Sequence, residues 1–245
     1  MRYGIFSDVH SNYEALKVVL EYLIKERADY YICLGDLVGY AAKPNECIEE
    51  IRKLSNIKII LGNHDAAVIG IEDLSEFNPI AKEAVLWTRK VLKKENMDFL
   101  LSLEPYGEED GFFFVHGSPK NPLNEYLDEL SKFKENIPYM KKNLYFIGHT
   151  HVPFCFYLQK EELKYRLFSE ERFLKLDLNK NKYIINCGSV GQPRDSNPRA
   201  CCGIYDSIEK EFKIKRLSYN IKKVQEEIVK VKLPFFLAYR LDLGV

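Results

Sequence analysis

The chain has 245 residues, enough for one large α/β domain or two small ones. Hydrophobic residues make up 46% and aromatics 13%, which excludes a disordered chain and requires a sizeable buried core. Lys plus Arg and Asp plus Glu number 36 each, so no global field draws nucleic acid or an anionic membrane, although a local basic groove would not register in that balance.

From the N-terminus, Arg2–Phe6 is a short apolar run ending in Ser7-Asp8, and it predicts a strand. Ser11-Asn12-Tyr13-Glu14 reads as a capping box opening a helix to about Arg27. Tyr30–Leu34 repeats the strand pattern before Gly35-Asp36, Pro44 opens a second helix through Leu54, and Ile57–Leu61 precedes Gly62-Asn63. From Pro79 to about Glu95, Ile80, Ala84, Trp87 and Val91 recur at helical spacing, which assigns Trp87 to the core. Phe112–Val115 runs into His116, a helix is predicted over Leu123–Lys134, and Leu144–Ile147 runs into Gly148-His149. Tyr183–Cys187 before Gly188-Ser189 is the sixth run of this kind. Uninterrupted apolar runs suit strands buried on both faces, so their polar ends gather on the edge where open α/β sheets place ligands.

After His151 the texture changes. Phe154–Leu158, Tyr165–Phe168, Phe173–Leu178, Cys202–Tyr205 and Phe212–Leu217 are shorter, several of them alternating, and predict antiparallel strands completing a second sheet. Tyr219–Lys230 has helical character and leads into Leu233-Pro234-Phe235-Phe236-Leu237. No repeat or linker divides the chain. The expectation is one domain over residues 1–245: an α/β sandwich of two mixed β-sheets packed face to face and flanked by helices. Residues 219–237 are either a lid or a packed terminal helix.

The six cysteines (Cys33, Cys47, Cys155, Cys187, Cys201 and Cys202) form no C-x-x-C pair, and several sit within apolar runs. They read as reduced core thiols of a cytoplasmic protein. A cleaved signal peptide would remove Asp8 and His10, and no apolar run approaches the length of a membrane span.

All five histidines, His10, His64, His116, His149 and His151, fall in short polar runs that follow strand-like segments. One histidine in such a loop is more often structural than a ligand, but the joint pattern reverses that expectation. Phosphoester hydrolysis is slow because water is a weak nucleophile and the anionic phosphoryl group repels hydroxide. Two divalent cations about 3.5–4 Å apart address both difficulties. Such a site needs carboxylates, one oxygen ligand able to bridge, and neutral imidazoles for borderline metals. Asp8, His10, Asp36, Asn63, His116, His149 and His151 supply that set.

The ordered set resembles the calcineurin-like metallophosphoesterases. In the resemblance Asp8-Val9-His10 matches the Asp-x-His motif, implying first-metal ligands, and Gly35-Asp36 matches the Gly-Asp motif, implying that Asp36 bridges. Gly62-Asn63-His64-Asp65 implies Asn63 as a second-metal ligand and His64 as general acid. His116 and His149 are implied for the second metal, and His151 for the first. Gly35 to Tyr40, Trp87-Thr88-Arg89 and Gly188 to Asp195 look like a bacterial and archaeal subgroup of single-domain phosphoesterases, related to diadenosine tetraphosphatases and protein phosphatases. The resemblance covers most of the chain. It departs at Gly39, where those relatives carry an Asp that supports the catalytic histidine, so a protein phosphatase reading loses ground.

Around these residues several readings stay open. Asp65 either orients His64 or caps the following turn. Asn12 could approach substrate, though helix capping accounts for it. Arg194 is the best phosphate clamp, since guanidinium binds phosphate bidentately, with a local pair to Asp195 as the rival; Arg199 is a weaker clamp. Tyr40 either lines the pocket or packs.

The resulting expectation is a metal-dependent phosphoesterase, foremost a phosphodiesterase, in which a metal-bridging hydroxide attacks and His64 protonates the leaving oxygen. The cofactors expected are two divalent ions, Mn²⁺ or Fe²⁺, with Zn²⁺, Ni²⁺ and Co²⁺ also suited. The expected partner is a small phosphoester or nucleotide. The alternatives are a metal-binding scaffold for a protein partner, a phosphomonoesterase, or a dinucleoside polyphosphate hydrolase.

Overall fold

The apolar runs become strands because β-branched and aromatic side chains can be covered on both faces at once. A computed structural model describes residues 1–169 and 171–245. Its strands are β1 (Arg2–Phe6), β2 (Tyr30–Cys33), β3 (Ile57–Ile59), β4 (Tyr106–Glu109), β5 (Phe112–Val115) and β6 (Leu144–Ile147). They continue with β7 (Phe154–Gln159), β8 (Glu162–Leu167), β9 (Phe173–Lys175), β10 (Lys182–Asn186), β11 (Ala200–Asp206) and β12 (Glu211–Leu217). The helices are α1 (Tyr13–Lys25), α2 (Pro44–Ile51), α3 (Asn63–Val68), α4 (Pro79–Val91), α5 (Lys94–Leu101), α6 (Leu130–Asn136), α7 (Ile221–Lys230) and α8 (Phe235–Leu243).

Two mixed six-stranded sheets run in the orders β3-β2-β1-β11-β12-β9 and β4-β5-β6-β10-β7-β8. β1, β2 and β3 are parallel, and β11 closes on β1 antiparallel with Ile5 opposite Gly203. The late strands do not form a sheet of their own. β9, β11 and β12 extend the first sheet while β7 and β8 extend the second, because pairing partners are chosen by long-range packing. The inner faces meet through aromatic rings, with Phe112 against Tyr205 at 5.6 Å and Phe146 against Phe212 at 5.6 Å. The two sheets therefore pack face to face.

Helices cover the outer faces. α1 places Leu16, Val19, Leu20 and Leu23 on the first sheet, and Phe133 of α6 packs on the second. Three local expectations shift. The N-cap of α1 is Asn12, whose Oδ1 accepts from Ala15 N at 3.1 Å, and Ser11 does not cap. The buried face of α4 is Ala81, Ala84, Val85 and Thr88, one position from the predicted stripe, which leaves Trp87 only half-buried. The fourth predicted helix shrinks to α6, since Asn121 organises a turn by accepting from Leu123 N and Asn124 N.

The C-terminal segment forms the hairpin α7–α8. Leu237, Ala238 and Leu241 pack with Tyr40, Ala41, Ala81 and Ala84. No described helix is long and apolar enough to cross a membrane. All six cysteines are buried and free.

Candidate metal centre

Asp8 and His10 follow β1, Asp36 follows β2, and Asn63 and His64 open α3 just past β3. His116 follows β5, and His149 and His151 follow β6. Each chain turns sharply as it leaves its strand. Asp8, His10, Asp36, His149 and His151 all lie in the left-handed region, with φ of +55°, +48°, +54°, +67° and +60°. Such backbone costs of order 1–3 kcal/mol per residue and persists only where surroundings over-determine it. Here the loops are stitched together: His10 N donates to Asp36 O at 2.9 Å, Gly148 N to His116 O at 2.9 Å, and His149 N to Asp8 Oδ1 at 3.2 Å.

Two groups of side chains sharing Asp36 lie close enough to hold metal ions: Asp8, His10, Asp36 and His151, and Asp36, His116 and His149. The hydrogen bonds fix which atoms are available. His10 Nδ1 donates to Val38 O at 3.0 Å and His151 Nδ1 to Gln192 O, 2.6 Å away. In the neutral rings both Nε2 atoms then carry lone pairs, and these face each other at 3.0 Å. Two lone pairs at that separation repel unless a cation or proton lies between them. His116 Nδ1 donates to Leu34 O at 2.8 Å, and its Nε2 lies 3.1 Å from Asn63 Oδ1. His149 donates through Nε2 to Asn124 O at 3.2 Å, leaving Nδ1 as its open atom.

Asp36 sits between the groups. Its Oδ2 is 3.4 Å from His10 Nε2 and 3.4 Å from His116 Nε2, while Oδ1 accepts from His64 N at 2.8 Å. Asp8 Oδ2, Asp36 Oδ2 and His149 Nδ1 are buried without a hydrogen-bond partner. Orphaned buried acceptors are rare in folded proteins unless an ion, water or catalytic role claims them. The donor set and these orphans fit divalent cations.

Burial sets the charge states of the metal-free site. It pushes Asp8 up to about 7, with the Asp36 charge adding to it. It pushes His64 down to about 4 and His149 to about 3, and holds His10 and His151 well below the usual imidazole range. For His116 burial works the same way but the Asp36 carboxylate outweighs it, and the ring rises to about 9. Asp36 is correspondingly held below the ordinary carboxylate range, since His116 and His64 overcome its burial.

The hydrogen bonds of the surrounding residues separate the alternatives that the sequence leaves open. Asp65 makes no hydrogen bond to the His64 ring. Its Oδ1 accepts from Val38 N at 3.1 Å and its Oδ2 from Gly62 N at 3.2 Å, so both oxygens cap backbone. Asn12 is likewise spent, capping α1 through Oδ1 and donating through Nδ2 to Gly191 O at 2.9 Å. Asp195 pairs with buried Arg216, not with Arg194. Arg194 donates to Gln192 Oε1 at 3.0 Å and to Tyr40 Oη at 3.3 Å, and makes no ion pair with a described carboxylate within salt-bridge distance. Arg199 Nε donates to Asn197 Oδ1.

Among the described residues no carboxylate lies within salt-bridge distance of the His64 ring, whose Nδ1 lacks a partner. The ring is held by aromatics: Tyr40 at 4.4 Å, and Phe77 edge-on at 5.1 Å. Gly39 takes part by being small. It has φ +95°, and a Cβ there would stand 2.7 Å from His64 Nδ1. Tyr40 both packs and lines a cleft of about 340 Å³ that opens from Asn63, His64 and His149. The other walls come from Glu72 to Asn78 and from Asn124 and Tyr126. The Tyr126 ring lies tilted over His149, with ring centres 3.8 Å apart. Those stretches carry neither a motif nor a period, and only the fold brings them to the rim.

Residues 1–209 match the calcineurin-like phosphoesterase superfamily domain. The chain is 43% identical over 253 aligned positions to the uncharacterized protein MJ0912 of Methanocaldococcus jannaschii, covering 98% of this chain and 97% of that one. The crystal structure of a metallophosphoesterase from Sphaerobacter thermophilus is 39% identical, with a TM-score of 0.87 over 100% of this chain and 99% of the other. The hypothetical protein PH1004 from Pyrococcus horikoshii, 22% identical, shares the fold at a TM-score of 0.80 over 100% and 98% of the two chains. With the Asp and His groups on one rim of a two-sheet sandwich, these matches establish that the chain belongs to the calcineurin-like phosphoesterase superfamily.

Proposed function

We propose that the protein is a metal-dependent phosphodiesterase with two cation sites. Asp8, His10, Asp36 and His151 form one, and Asp36, Asn63, His116 and His149 the other. The observation that carries this reading is the facing Nε2 lone pairs of His10 and His151, 3.0 Å apart, beside the unpartnered Oδ2 of Asp36. The ligand types suit Mn²⁺ or Fe²⁺. Bound there, divalent cations would lower the pKa of water and neutralise phosphoryl oxygens.

The chain's own residues do the rest. Asp36 fixes the start of α3 by accepting from His64 N, and so aims the His64 ring. His64 donates a proton to the leaving oxygen. Its burial disfavours the charged ring, and the anionic phosphoryl group of a bound substrate supplies the opposite charge that favours it. Arg194, held between Gln192 and Tyr40, clamps a phosphoryl oxygen.

In this reading residues 1–245 act as one domain and the α7–α8 hairpin is a brace, not a lid. None of the residues lining the cleft belongs to it. Lys223 pairs with Glu14 at 2.7 Å, Lys43 with Glu227 at 2.6 Å, and Ser196 N donates to Gly244 O at 2.9 Å, tying the hairpin to α1 and to the Tyr40 and Arg194 loops. Free buried thiols support a reducing, cytoplasmic setting. The test is hydrolysis of bis-p-nitrophenyl phosphate by Mn²⁺-loaded protein. Turnover abolished by chelator and restored by Mn²⁺ supports the reading; no turnover with any divalent cation overturns it.

A further inference from the structure

The cleft beyond the phosphate position is negative. Glu72, Asp73 and Glu76 line it, and no lysine or arginine does. Glu72 accepts from Asn124 Nδ2 at 2.9 Å, and Asp73 caps a turn by accepting from Ser75 N. Neither they nor Glu76 makes an ion pair with a described residue. Lys82 and Arg89 border Glu72 and Asp73 on their far side, where Arg89 donates to the carbonyls of Ala67 and Val68. On the near side stand the rings of Tyr40, Phe77 and Tyr126.

The floor of the same cleft carries polar groups without protein partners among the described residues. Asn63 and His64 are only 8% and 5% exposed, and both line it. Neither the Asn63 amide nitrogen nor the His64 ring makes a hydrogen bond to a described residue. With His64 at this end, the group entering the cleft is the alcohol that departs. A nucleotide or polyphosphate chain would set further anionic oxygens against carboxylates that no described cation neutralises, a repulsion least screened at half-buried Glu72. An ammonium group meets the opposite situation, with carboxylates on one side and the Phe77 ring on the other, while Arg194 already lies 5.8 Å from the centre of the Tyr40 ring on the side of the phosphate.

We infer that the leaving alcohol carries a cationic nitrogen, so that the substrate is a phosphodiester of an amino alcohol, not a nucleotide or polyphosphate. The inference rests on the phosphodiesterase reading above. Hydrolysis adds water at phosphorus and breaks the P–O bond to the amino alcohol. The alcohol oxygen takes its proton from His64, leaving a phosphomonoester.

The experiment compares three methyl phosphodiesters: that of choline, that of its uncharged tert-butyl analogue, and that of a carboxylate-bearing alcohol of similar length. Mn²⁺-loaded protein is used, and methyl phosphate is followed by phosphorus NMR. The choline ester is expected to exceed the tert-butyl ester in kcat/KM by about tenfold, with the carboxylate ester slowest and the advantage shrinking as salt is added. Glu72→Gln and Glu76→Gln each lower the choline-to-tert-butyl ratio, and the double variant brings it near one. Calorimetry gives a second readout, with choline methyl phosphodiester binding more tightly than its tert-butyl analogue to the His64→Ala protein. Equal or reversed rates in the wild type, or a ratio unmoved in the double variant, overturn the inference alone. If all three esters and bis-p-nitrophenyl phosphate are untouched, the phosphodiesterase reading falls and takes the inference with it.

Discussion

The two ends of the cleft are built on opposite principles. At the inner end, residues from five separate strand ends converge, much of their backbone is left-handed, and buried acceptors lack partners. At the outer end, Glu72, Asp73, Glu76 and Phe77 lie on one local stretch with ordinary backbone, only half-buried or exposed. The inner end stores strain and unsatisfied polarity that only a bound charge relieves. The outer end shows neither. In the proposed reading, chemistry accordingly resides at the inner end and discrimination between alcohols at the outer one.

Substitutions can break this contrast. The largest effect is expected from Asp36→Asn, which removes the carboxylate shared by both groups. Phosphodiesterase kcat should fall by at least about a thousandfold, the several kcal/mol that such cations supply. A variant within tenfold of wild type would contradict the shared role.

His64→Ala comes next and should depend on the leaving group. Alkyl phosphodiesters need the alcohol oxygen protonated and should slow by about 10²–10⁴-fold, whereas nitrophenolate leaves unaided and p-nitrophenyl esters should slow far less. Equal losses on both ester types would remove His64 from proton transfer.

Gly39→Ala tests the aromatic cage. With φ +95° and a Cβ 2.7 Å from His64 Nδ1, the variant should lose about 1–3 kcal/mol of stability, read from urea unfolding. It should also show the same alkyl-selective slowing as His64→Ala, only smaller. The smallest effect is expected at the brace. Lys43→Met cuts the pair with Glu227 and should change stability by under about 1 kcal/mol, because both side chains are partly exposed. A collapse of activity there would mean that the hairpin governs the inner end after all.

The sequence made the inner end legible and left the outer end hidden. β1, β5 and β6 have the predicted bounds, because each mainly apolar run stops at a polar or small residue, Ser7, His116 or Gly148. Asp8, Asp36, His116 and His149 were readable for the same reason: strand, then turn, then donor. β9, β11 and β12 went to the wrong sheet because alternation reports one buried face and not which sheet buries it. α8 was missed because Leu233 to Leu237 is apolar throughout and offers no period, and its start is marked only by Pro234. Asp65 and Asn12 stay open between chemistry and capping in the sequence because polar residues beside a ligand motif also make good caps, and composition cannot separate the two uses. Phe77 and Tyr126 touch His64 and His149 from positions that no spacing rule connects to them.

The central claim is that Asp36 joins two cation sites. Its most direct test is anomalous diffraction from crystals of the protein soaked in Mn²⁺, with metal analysis of the same preparation. The prediction is one peak among Asp8, His10, Asp36 and His151, a second among Asp36, Asn63, His116 and His149, and both lost in Asp36→Asn. No peak at these residues, or occupancy unchanged by Asp36→Asn, would contradict it.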